Sequence, residues 1–94
     1  MTGDDSHSMD AAALRAELVR QIGALAPGKS LCPSDIARAL GGSHPDQWSR
    51  LMPGVRRTAI DMAKSGQLVI LRKGKIADPD DFRGVYRLAQ PRHD

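Results

Sequence analysis

A chain of 94 residues leaves room for one small domain and excludes a two-domain enzyme. With 40% hydrophobic and 27% charged residues and a mean hydropathy of -0.39, it has the composition of a globular domain rather than of a disordered or fibrous chain. The formal net charge of +3 hides an asymmetry: residues 1–10 carry three acids and no base, whereas residues 11–94 carry all 14 Lys and Arg against eight acids. A basic body of this kind favours anionic partners and says nothing about fold.

The single cysteine, Cys32, excludes an internal disulfide, so a reducing cytoplasm is the expected setting. The longest apolar runs, such as Leu68 to Leu71, fall far short of a membrane span. The N-terminus has no basic-then-apolar leader pattern, so no membrane association is expected.

Residues 1–9 are polar, acidic and without periodicity and read as a flexible tail, ahead of a domain spanning residues 10–90. A first helix is expected from Asp10 to Ala26. Leu14, Leu18, Ile22 and Leu25 recur at helical spacing there, Asp10 can cap the first turn, and Pro27-Gly28 ends it. Lys29 to Leu31 reads as a short extended link. Cys32-Pro33 then opens a second helix, Pro33 to Leu40, with Ile36, Ala37 and Leu40 as its apolar face and Gly41-Gly42 as its stop.

A short helical turn follows at Asp46 to Leu51, and Pro53 starts a third helix that runs to Ser65. Its buried stripe is Met52, Val55, Ala59, Met62 and Ala63, and Arg57, Asp61 and Lys64 point the other way. Beyond Gly66 the period shortens to that of strands. Gln67 to Lys73 and Gly84 to Ala89 form a hairpin whose long tip is the polar stretch Gly74 to Arg83, and residues 91–94 form a polar tail.

The order helix, extended link, helix, turn, helix, strand, loop, strand predicts an α+β, mainly α fold. Specifically it predicts a winged helix-turn-helix, a three-helix core with a C-terminal β-hairpin wing. No one of these amphipathic helices can bury its stripe alone, whereas three sharing a core closed by a two-stranded sheet can. The string Cys32 to Gly41, Trp48 with Leu51-Met52-Pro53, Val55-Arg56-Arg57, Gly66, Lys73-Gly74, Asp78-Pro79 and Gly84 with Tyr86-Arg87-Leu88 resembles a family of small bacterial proteins of unknown function. The likeness covers residues 14–88 and implies the winged-helix fold; it implies no activity and no catalytic residue.

Duplex DNA binding requires cations on the exposed face of the third helix and on the wing. Arg56, Arg57 and Lys64 are the candidates on the helix, with Arg56 or Arg57 as the base reader; Arg72, Lys73, Lys75 and Arg83 are the candidates on the wing. Asp61 stands one turn from Arg57 and could pair with it, and Asp78, Asp80 and Asp81 would repel phosphate from the loop tip. The alternative is a protein-protein interaction module without nucleic acid, drawing on Ile60 and Trp48 beside arginines, although Trp48 equally fills a gap between helices and Ile60 equally packs under the hairpin. A monomer is expected, since the second face of the first helix (Arg15, Val19) is not clearly apolar.

No enzyme is expected. Cys32 lacks an adjacent base and reads as a small semi-buried residue or a weak helix cap, and His7, His44 and His93 show no metal-ligand spacing, so no cofactor or metal is implied. Three aromatic residues, Trp48, Phe82 and Tyr86, are too few for stacking along a single strand, and the last two read as anchors of the hairpin.

Overall fold

The computed structural model describes the backbone of residues 2–92 and the side chains of residues 11–92. The chain is α+β. Four helices, α1 (Thr2–Gly23), α2 (Pro33–Gly41), α3 (Pro45–Trp48) and α4 (Met52–Lys64), combine with four strands, β1 (Ser30–Leu31), β2 (Val69–Arg72), β3 (Lys75–Ile76) and β4 (Arg87–Ala89). A 3-10 turn, Ser49–Leu51, joins α3 to α4.

Helix α1 departs from expectation at both ends. It begins at Thr2 rather than Asp10, because no proline interrupts residues 2–23, so the expected tail continues the helix and Asp10 is not its cap. It ends at Gly23 rather than Ala26. The Gln90 side-chain amide donates to the carbonyls of Ile22 and Leu25, both at 3.0 Å, which satisfies helix-end acceptors and ties the C-terminal segment to α1.

Helix α2 opens on Pro33, with the Asp35 carboxylate accepting the Cys32 N–H at 3.2 Å. Helix α3 is capped by His44, whose Nδ1 accepts the Asp46 N–H at 3.3 Å. The α2–α3 approach is close enough that a Cβ on Gly41 would lie 2.9 Å from the Trp48 Cα, so only glycine fits there. Pro53 sits in the first turn of α4, where no N–H is needed.

The helical stripes converge as their spacing predicts. Leu14, Leu18 and Ile22 of α1, Ile36 and Ala37 of α2, and Val55, Ala59 and Met62 of α4 are buried in one core with Leu68, Ile70 and Leu88 of the sheet region. Leu25, Trp48, Leu51, Met52, Ile60 and Ala63 pack partly buried against it. Leu40, expected on the apolar face of α2, is exposed because it falls in the last turn beside the chain's exit.

The sheet is antiparallel with strand order β1-β4-β2-β3. Two differences from the expected hairpin follow. The link at Ser30–Leu31 is a strand, pairing with Ala89 and Leu88. The stretch read as one long tip is subdivided: Lys73 (φ 53) and Gly74 (φ 82) make a two-residue turn, so Arg72 pairs with Lys75 and Leu71 with Ile76. Positive φ at both turn positions matches the right-handed twist of the flanking strands, and Gly74 adopts it without steric cost. After β3, residues 77–86 return along α4 before β4 pairs with the other edge of β2.

Candidate functional site

Ile70, Leu88 and Leu31 lie in register on the core side of the sheet. Alternation therefore turns Leu71, Ile76 and Arg87 to the opposite face. At the turn end of the sheet the register and hydrogen bonds gather cations from two separate stretches. Arg72 and Lys75 flank the turn that Lys73 occupies, Arg87 stands opposite Leu71, and the Arg92 guanidinium donates to the Gly74 carbonyl at 3.2 Å. Arg72 donates to the Val85 carbonyl, and Arg87 donates to the Oγ and carbonyl of Ser30 at 2.7 and 3.0 Å. The acceptors of Arg72 and Arg87 are neutral: they orient the two guanidinium groups and leave their charge uncompensated among the described residues.

The seven cations expected to form one surface separate into groups. Arg56, expected as a base reader, is engaged within the fold. Its guanidinium lies 4.0 Å from the Phe82 ring centroid and 5.8 Å from that of Tyr86, and it donates to the Phe82 carbonyl at 2.9 Å, so it fastens the return loop to α4. Lys64 is also engaged, 2.6 Å from the Asp80 carboxylate, and Asp80, Asp61 and Asp78 all raise its pKa. This end of α4 therefore faces a group of carboxylates, which disfavours an approaching phosphate.

Arg57 remains exposed on α4, with no ion-pair partner among the described residues. Asp61, which could have paired with it, is taken by Arg15 of α1 at 3.1 Å, because α1 packs alongside α4 and brings a second arginine within reach. Lys73, Lys75 and Arg83 are exposed as expected, and Arg72 is half-buried by its bond to the Val85 carbonyl. No hydrogen bond or ion pair among the described residues links Arg57 to the hairpin cations.

Arg87 and Arg92 were missed as members of the hairpin group. Strand alternation beside the inward Leu88 carried the signal for Arg87; nothing local placed Arg92, which reaches Gly74 only through the fold. Phe82 and Tyr86 anchor the hairpin as expected, packed edge to face at 5.1 Å. The Asp78 carboxylate accepts the Asp80 N–H at 2.9 Å and shapes the loop. Burial pushes the Tyr86 phenol up to about 12, with Arg56 opposing the shift and Cys32 adding to it.

Cys32 is half-buried, its Sγ 3.0 Å from Ser34 Oγ at the start of α2. His44 caps α3; His7 and His93 lie outside the residues whose side chains are described. Among the described residues no helix is long and apolar enough to cross a membrane.

Comparison with protein families matches residues 11–91 to DUF3253, a protein family of unknown function. The chain belongs to that family. The match takes in every element from β1 to β4, so the DUF3253 unit contains both α4 and the cationic hairpin. Comparison with curated proteins finds none that matches.

Proposed function

We propose that this chain is a winged helix-turn-helix domain that binds duplex nucleic acid, with the β2–β3 hairpin rather than α4 as its principal phosphate contact. The topology supports the fold reading: α2 and α4 are the helix-turn-helix pair, β2 to β4 form the wing, and β1 closes the sheet against β4. The observation that carries the functional reading is the gathering of Arg72, Lys73, Lys75 and Arg87 at one end of the sheet, with no carboxylate among the described residues bonded to any of them. Phosphate neutralisation supplies most of the free energy of such binding, so a compact cationic group is its first requirement.

This reading revises the helix-led one on physical grounds. The C-terminal half of α4 presents Asp61 and the Lys64–Asp80 pair, and an engaged lysine releases few counterions from DNA. Arg57 is the α4 cation left to face a groove, and Arg83 is exposed on the loop that leads into β4.

The test is a titration of fluorescent duplex at several salt concentrations. The slope of log K against log salt should fall by about 0.9 for each phosphate contact. Lys73→Ala and Lys75→Ala should each weaken binding to all sequences and reduce the slope by about one, while Lys64→Ala should change affinity less than twofold. Salt-independent or absent binding would sink the reading, and a loss confined to Arg57→Ala would return it to α4.

A further inference from the structure

The outer sheet face also holds a slot of about 400 Å3 that phosphate binding alone leaves unused. Leu71 and Tyr86, each 7% exposed, line it together with Val85, and Arg72, Lys73 and Arg87 supply its cations. No carboxylate among the described residues lines it. Val85 is 81% exposed, the most exposed large hydrophobic side chain among those described, and it lines the slot beside these cations.

We propose that this slot receives a single unpaired base of a bound nucleic acid, with the flanking phosphates held by Arg72, Lys73 and Arg87; the inference rests on the nucleic-acid reading above. The cations select an anion, and the apolar lining selects a ligand that also carries a flat, poorly hydrated group. A nucleotide with its base out of the stack has both, whereas a fully paired duplex keeps its base faces stacked and presents only phosphates, sugars and the base edges in its grooves.

The slot is held in shape before any ligand arrives. The Arg72 guanidinium packs on Gly84, where a Cβ would meet it at 3.4 Å, and is fixed by the Val85 carbonyl; Arg87 is fixed by Ser30. A fixed guanidinium plane beside an apolar lining is a stacking surface that needs no exposed aromatic ring. The scarcity of aromatic residues argues against a run of stacked bases and leaves a single one.

The experiment compares three labelled duplexes of equal length with the full chain: one blunt and fully paired, one with a single-nucleotide bulge, and one with the same bulge made abasic. The base-bearing bulge should bind about tenfold tighter than the abasic one, the size expected for one stacked base. Val85→Asn, at an exposed position, should erase that preference and keep blunt-duplex affinity within twofold. Equal affinity for the two bulges would overturn the inference and leave the phosphate-binding reading standing, whereas failure of all three duplexes to bind at low salt would overturn both. Displacement of the bulge probe, but not of the blunt duplex, by an acidic leucine-containing peptide would assign the slot to a protein segment and overturn the inference as well.

Discussion

Arg56 and Phe82 are locked to each other twice: the guanidinium stacks on the ring at 4.0 Å and donates to the carbonyl of the same residue at 2.9 Å. A residue whose sequence position suggests a groove reader is thereby the fastener between α4 and the loop that leads into β4. Arg56→Ala should cost about 2–3 kcal/mol, combining a lost cation–π contact with a backbone carbonyl left half-buried. Arg56→Lys should recover only part, because an ammonium cannot stack and fork at once. Urea denaturation of both variants beside Arg57→Ala checks this; the Arg57 variant should stay within about 0.5 kcal/mol of the parent.

The Lys64–Asp80 pair leads to a prediction about binding. Asp80→Asn leaves the Lys64 cation with weaker opposition and removes a negative charge from the return loop, so affinity for duplex should rise, most visibly at low salt. A fall in affinity, measured in the same fluorescence titration, would mean that the pair positions the hairpin rather than masking it.

Tyr86 sets an alkaline limit on stability. Its phenol is buried and has no hydrogen-bond partner among the described residues, and its pKa stands at about 12 against an ordinary 10.0. Below pH 10 both folded and unfolded states keep the proton, and stability is independent of this group. Between about pH 10 and 12 the unfolded chain loses the proton first, so stability falls as pH rises, by about 2 kcal/mol in all. Tyr86 is the only tyrosine, so tyrosinate absorbance reports it without overlap. Tyr86→Phe should flatten this alkaline decline without destabilising the fold at neutral pH, since it removes an unpaired buried hydroxyl.

Gly41 should tolerate no side chain. An added methyl would press on the Trp48 backbone at 2.9 Å, and backbone cannot swing aside as a side-chain tip can, so Gly41→Ala should cost about 1–3 kcal/mol. Gly54→Ala is the comparison: its nearest atom is the end of the Leu14 side chain at 2.8 Å, which can turn about its own torsions where the Trp48 backbone cannot, so the loss in thermal denaturation should be smaller.

Local chemistry determined a large part of this protein. The spacing of Leu14, Leu18 and Ile22 and of Val55, Ala59 and Met62, together with Pro33, Pro53 and Gly66 as punctuation, locates the main helices and most of their buried faces, though not the ends of α1, because periodicity and φ restriction act over a few residues. Only the tertiary structure decided which cations are available. Arg56 and Arg57 are adjacent and chemically identical, yet one stacks on Phe82 and the other faces solvent; Asp61 turns to Arg15 rather than to its helical neighbour; Arg92 reaches Gly74 from the end of the chain. Whether a charge is engaged depends on partners brought close by folding, often dozens of residues away, and sequence spacing within one element carries no record of them.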